Sequence, residues 1–445
     1  MILPPRLQLQ NLRGVLRYFP VCRLPNRPSA SLSIRESESG NMPNCSSFRN
    51  LVPFTILFLT TIESTAKCQQ NPNDGLDKNK VEVALPLVKS QLVVPRTDIT
   101  RASFPVVDVH THFLLKGKHD AGLLKEYVAM MDRNNIAICV SLDATLFSRL
   151  DDHCSFLWAE HRDRFVVFAN VDFQGSGNAD QPATWACNQP DFVRNIVETL
   201  RAARQSGMIS GLKFFKDFGL RYRNADGSLI AVDDVRWDPI WAVCGELGIP
   251  VIMHTADPGA FFEPATPSNE RFLELNVHPS WSFASPEFPS RKELHDARNR
   301  VVAKHSQTVF IAAHLGNDGE NLEELAGWLD LYPNLMVEFA SRINELGRQP
   351  YTARRFFEKY QDRILFGTDG PWPESRLRLY WRFLETFDEY FEYSEKQPPP
   401  QGDWRIYGVG LDAKILKKVY YENAARVIPG LQDKLSKVPK ANTGP

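Results

Sequence analysis

The chain has no surplus of charge of either sign. Its 52 basic and 53 acidic side chains leave a formal net charge of -1, so there is no basic surplus for a nucleic acid to read. It has no CxxC pair: the seven cysteines, at positions 22, 45, 68, 139, 154, 187 and 244, show neither metal-ligand spacing nor clustering with histidines. That argues against both a disulfide framework and a thiolate-bound metal. Cys139 lies inside the apolar run Ile136-Ala137-Ile138-Cys139-Val140 and reads as a small buried hydrophobe. No GxGxxG follows the first strand-like run, which removes the signature of a dinucleotide fold. No stable membrane span is expected either, because the apolar run 51–59 falls well short of the roughly 20 residues a bilayer requires.

That short run has another reading. Arg49 precedes it and Ser64-Thr65-Ala66 follows it, with small residues at alternate positions. Residues 42–66 therefore read as a signal peptide within an N-terminal targeting region 1–66, and the mature protein is expected to be exported, periplasmic or secreted. Lys67 directly before Cys68 argues against a lipoprotein site. A cytoplasmic protein with an N-terminal strand is the alternative, and Arg6, Arg13, Arg17, Arg23 and Arg27 keep an organelle transit peptide open.

Residues 67–103 read as a linker. From about residue 104, short apolar runs rich in β-branched residues alternate with stretches of helical period, as expected for parallel strands covered by helices. The runs 105–109, 136–141, 164–170, 211–215, 250–254, 309–314, 335–339 and 364–368 make eight strands. Helices are expected at 122–134, 190–206, 239–247, 291–305 and 352–360. The expected fold is α/β, a single-domain (β/α)8 TIM barrel over 104–430 with a tail from 431 to 445. Two connections exceed what a barrel needs. One follows strand five, with Phe261, Phe262, Trp281 and Phe283 among six prolines across 255–290; the other, around Pro398-Pro399-Pro400, follows strand eight.

Polar residues end several of the apolar runs. His110 and His112 end the first strand, and side chains two apart on a strand share a face. His254 ends the fifth, His314 the sixth, and Asp369 follows the eighth. A single buried histidine could be a satisfied core group, but in a parallel barrel all strand C-termini lie on the face that carries active sites. Three neutral imidazoles and a carboxylate suit one Zn2+, with Fe or Mn as other candidates, and leave a position for water.

Asp108-Val109-His110-Thr111-His112-Phe113, His254, His314 and Gly367-Thr368-Asp369-Gly370-Pro371-Trp372 together resemble the amidohydrolase superfamily. The likeness is to the amidohydrolase-related branch that includes aminocarboxymuconate-semialdehyde decarboxylase, and it runs to Glu422-Asn423-Ala424-Ala425-Arg426. The resemblance implies that His110, His112 and His254 bind the metal and that Asp369 is both ligand and proton acceptor. It makes His314 a second-metal ligand or a general acid/base. Lys213 lies on the strand where two-metal members carry a carbamylated lysine, although a contact to substrate or support of the ligands is the preferred reading.

The activity expected is hydrolysis by a metal-activated water, with non-oxidative decarboxylation of an aromatic or unsaturated acid as the alternative on the same residues. A catalytically inactive barrel used for binding is the reading from another class, and it predicts loss of a ligand; none of the five is missing. The substrate is expected to be a small molecule, with a carboxylate as the candidate, met by Lys213 and Arg342 and by the aromatic loop through Phe262 and Trp281. The sequence does not address oligomeric state.

Overall fold

The computed structural model describes residues 90–438. The export reading of residues 42–66 lies outside the described residues. Eight parallel strands follow one another around a single sheet: β1 (Val106–Thr111), β2 (Ile136–Thr145), β3 (Phe165–Asn170), β4 (Gly211–Phe214), β5 (Val251–Met253), β6 (Phe310–Ala312), β7 (Leu335–Glu338) and β8 (Ile364–Leu365). The eighth meets the first through Val109 N–H, which donates to the Phe366 carbonyl at 3.0 Å, and a parallel bridge between Thr111 and Gly370. Asp108 staples the same seam, accepting from the Thr368 amide at 3.0 Å and from the Thr368 hydroxyl. Burial pushes its carboxyl up to about 7. The fold is the expected (β/α)8 barrel.

The helices fall close to where helical period placed them, at Ala121–Asn134, Phe192–Gln205, Asp238–Glu246, Arg291–Lys304 and Pro350–Lys359. Phe192–Gln205 shows why: Phe192, Ile196, Leu200 and Ala203, at spacings of three and four, form its buried stripe. Ser290 opens Arg291–Lys304 with a capping box completed by Glu293.

Strand parity decides what faces the barrel axis. Val107, Val109, Ile252, Ile311, Met336 and Leu365 form one buried cluster inside the barrel, while Val106, Leu212, Val251, Phe310, Leu335 and Ile364 belong to the cluster under the helices. Counting on by two from the inner set reaches His254, Glu338 and Asp369 at the rim. Strand β1 breaks the rule. Its register against β2 slips between Asp108 and Thr111, and this irregularity lets His110 turn inward although Val109 beside it already faces the interior.

Ala424, Ile428 and Leu431 join the inner cluster, so the C-terminal segment closes the opposite mouth of the barrel. The helix Leu431–Lys437 begins where a tail was expected. At the other end of the described chain, Thr97 donates to Asp388 through its amide (2.8 Å) and its hydroxyl (2.6 Å), which ties the last part of the expected linker to the barrel.

The long connection after β5 carries a short helix, Phe272–Val277, and a small core of its own. Leu220, Ala256, Phe261, Leu275, Phe283 and Leu294 are buried together, with Phe262 and Trp281 packed against them. Arg271, fully buried, anchors this roof: it pairs with Glu274 at 2.8 Å within the loop and with Glu345 beyond β7.

Candidate metal centre

The rim brings His110, His112 and Asp369 together as one group whose ligand atoms lie within 4.8 Å of one another, and His110, His314 and Glu338 as a second. His110 is shared. The Nε2 atoms of His110 and His112 stand 3.2 Å apart, and Asp369 Oδ1 is 3.4 Å from His112 Nε2. His254 belongs to neither group. Its ring lies 4.5 Å from that of His314, and its buried Nε2 has no hydrogen-bond partner although Asp257 Oδ1 is 3.5 Å away.

Each of three imidazoles is held from behind. His110 Nδ1 meets Glu338 at 2.8 Å, His112 Nδ1 meets Asp143 at 2.6 Å, and His314 Nδ1 meets the Ala340 carbonyl at 2.8 Å. All three partners are acceptors, so each neutral ring carries its proton on Nδ1 and presents the Nε2 lone pair to the rim. For His110 and His112 this means two lone pairs facing each other at 3.2 Å. That arrangement repels unless a cation lies between them, and it is how metal-bound histidines are braced.

The electrostatics match. Burial holds His110 and His314 well below the usual imidazole range, with Lys213 reinforcing the effect at His110 and His254 at His314. Burial also brings His254 down to about 4. Burial works to raise Asp369, but His110, Lys116 and His112 outweigh it and keep the carboxyl below its ordinary range. Neutral imidazoles beside an ionised carboxylate are the protonation states a divalent metal requires. His314 at φ 56° and Asp369 at φ 62° both occupy left-handed backbone. Strain of that kind costs about 1–3 kcal/mol per residue and concentrates at functional sites.

Four polar partners escaped the sequence reading. Glu338 had the same signature as the others, a charged residue closing an apolar run, Leu335-Met336-Val337. Asp143 had none: β2 runs past the expected residue 141, and its register against β3 slips between Ser141 and Ala144. Lys116 lies 3.1 Å from Asp369 Oδ1 with its ammonium 4.2 Å from the centre of the Trp372 ring, and Asp257 accepts from Lys216 at 2.6 Å. Both belong to loops whose paths no periodicity sets.

Of the expected substrate contacts, Lys213 lies at the centre. It is 1% exposed, its ammonium has no hydrogen-bond partner, and burial lowers its pKa to about 8 against the pull of Glu338, Asp369 and Asp143. Arg342 is occupied, donating to Asn317 Oδ1 at 2.7 Å and to the Ser341 carbonyl at 3.1 Å. Phe262 and Trp281 sit in the roof cluster, and Trp281 reaches the site through Lys216, whose ammonium is 5.3 Å from its ring.

A family model described as amidohydrolase matches residues 107–430. No curated protein sequence matches the chain. Among solved structures, 2,6-dihydroxybenzoate decarboxylase from Rhizobium is similar at 16% identity, with 73% of this chain and 98% of that chain covered and a TM-score of 0.43. A 5-carboxyvanillate decarboxylase from Novosphingobium aromaticivorans, complexed with manganese and a nitrobenzoic acid, shares 14% identity over 75% of this chain and 99% of its own, at a TM-score of 0.39. A probable 2-pyrone-4,6-dicarboxylic acid hydrolase from Acinetobacter baumannii with citric acid bound shares 12% identity over 72% and 98%, also at 0.39.

Proposed function

The chain belongs to the amidohydrolase family, and from that premise we propose that it is a metal-dependent hydrolase acting on a small anionic substrate. The observation that carries the reading is the pair of Nε2 lone pairs facing each other at 3.2 Å beside an ionised carboxylate. His110, His112 and Asp369 would hold the metal, with His254 as the further ligand once its unpartnered Nε2 is drawn in. A divalent ion in that place polarises a carbonyl and acidifies water; Zn2+ is our first choice, with Mn and Fe behind it.

The chain's own groups have separable tasks. Lys116 occupies Oδ1 of Asp369, which leaves Oδ2, 3.4 Å from the Ser341 hydroxyl, as the oxygen that takes a proton. His314, its Nδ1 proton held by the Ala340 carbonyl, presents an Nε2 lone pair to take up the proton collected by Asp369 and pass it on to the leaving group. Lys213 supplies an uncompensated ammonium for an anionic group of the substrate. The roof, through Trp281 and Lys216, limits water access and shapes the pocket.

Decarboxylation is the second reading, and one observation favours it. A buried lysine without a partner is suited to a carboxylate that sits directly over the site, and in that case His314 would relay a proton taken up from solvent at Nε2 to the carbon that CO2 leaves. The metal-loaded full chain, assayed with lactones and amides on one side and with hydroxylated aromatic acids on the other, separates the two. Consumption of water without CO2 supports hydrolysis, release of CO2 supports decarboxylation, and turnover unaffected by chelation removes both.

A further inference from the structure

We propose that Glu338 is a positioning residue which sets the tautomer of His110 and is not itself a metal ligand, so that His110, His314 and Glu338 do not form an ion site of their own. The inference rests on the metal-dependent reading above, and it concerns a residue that reading does not use. Glu338 is fully buried at the end of β7, and three donors from three separate segments converge on its carboxylate. Oε1 accepts from His110 Nδ1 at 2.8 Å and from the His314 amide at 2.9 Å; Oε2 accepts from the Ala340 amide at 2.6 Å. A carboxylate used in this way is spent. To turn toward a metal it would have to abandon buried backbone N–H groups, and leaving such donors unsatisfied is costly.

The two candidate ligand groups give the same answer by counting. Both contain His110, and a neutral imidazole has one lone pair to offer. With Nδ1 committed to Glu338, Nε2 serves the group that includes His112 and Asp369. The second group is then a bracing contact and not a second ion site.

Gly367 makes room for this arrangement. A Cβ at that position would stand 2.6 Å from Glu338 Oε2 and 3.2 Å from His110 Cβ. The glycine of Gly367-Thr368-Asp369 is thereby explained: position 367 faces inward two residues before Asp369, where any side chain would push the carboxylate off His110. One clamp ties β1, the turn after β6 and the strand end of β7, and the glycine beyond β8 leaves it space.

The test uses the full chain labelled with 15N at histidine, stripped with a chelator and then titrated with Zn2+ or Mn2+. Without metal, the wild-type His110 ring should carry its proton on Nδ1, and Glu338→Gln should lose that preference. Metal affinity should fall by about 10- to 100-fold in Glu338→Gln, as for other partners that orient ligating histidines, and Gly367→Ala should lower it in the same direction. Wild type should take up one equivalent. Two equivalents in wild type and one in Glu338→Gln would make Glu338 a ligand and overturn the proposal, as would unchanged affinity in the variant. Should Glu338→Gln fail to fold, the wild-type tautomer decides, and a proton on His110 Nε2 overturns the clamp. A wild type that binds no metal at all defeats the metal reading, while the tautomer measurement still judges Glu338.

Discussion

Lys213 offers a test in which stability and function move in opposite directions. Its ammonium is buried, has no partner and is depressed from 10.5 to about 8. A folded-state pKa below the unfolded one means that the fold disfavours the charged form. The cost is fully present below the folded value, declines between about 8 and 10.5, and is absent above 10.5. A gap of that size corresponds to about 3 kcal/mol at neutral pH, taking roughly 1.4 kcal/mol for each pH unit. Lys213→Met keeps an unbranched chain of similar reach and deletes the charge. The variant should therefore be more stable than wild type by up to about 3 kcal/mol at pH 7, and the advantage should shrink toward zero as pH approaches 10.5. Urea denaturation of the chelator-treated full chain at pH 7 and pH 9.5 reads both quantities. The same variant should lose binding of anionic ligands. A variant less stable than wild type at pH 7, or an advantage that does not change with pH, would refute the argument that Lys213 is an uncompensated charge held for a substrate.

Other outcomes follow from the rim and its surroundings. The purified chain should hold about one equivalent of divalent metal by elemental analysis, and two, together with added mass on Lys213, would point to a carbamylated lysine bridging a pair. Asp369→Asn should keep the fold and lower turnover on the order of 10²- to 10⁴-fold, the size expected for losing an acid/base group; activity within a few-fold of wild type would remove it as proton acceptor. Trp281→Ala or Phe262→Ala should change relative kcat/KM among substrates by roughly 10- to 100-fold with metal retained, whereas an equal loss on all substrates with loss of metal would make the roof a support for the barrel. Chain expressed from Met42 in a secreting host should be recovered beginning at or near Lys67, and intact N-terminal sequence on cytosolic protein would defeat the export reading.

The barrel was legible because each strand is an apolar run whose length and composition survive in one dimension. Pro250-Val251-Ile252-Met253-His254 and Leu365-Phe366-Gly367-Thr368-Asp369 each state both a strand and the polar residue that follows it. Two kinds of residue were not legible. Asp143 reaches His112 only because β2 slips in register, and a slip has no signature in hydrophobic period. Lys116 and Asp257 lie on connections whose course depends on packing against other loops. Glu338 was legible in principle, since it closes its run as His254 closes the fifth strand; histidines drew attention to the ligands and away from the carboxylates that aim them. The long aromatic loop after strand five was anticipated, but not its separate core, because that cluster takes in Leu220 and Leu294, which lie far from Phe261 and Phe283 in sequence.

That separate core makes the roof an interchangeable part. Since Phe261, Leu275 and Phe283 are buried in one cluster with Leu220 and Leu294, and a buried ion pair from Arg271 to Glu345 fastens them to the barrel, the segment beyond Asp257 can be rewritten, with those two leucines kept covered, without replacing any residue that faces the ion. A lineage, or an engineer, seeking a new substrate can exchange the cover as a cassette while the chemistry beneath stays fixed. The exchange has one further condition: the incoming segment must bring a cation for Glu345, because removing one member of a buried pair leaves the other charge uncompensated and costs about 3–5 kcal/mol.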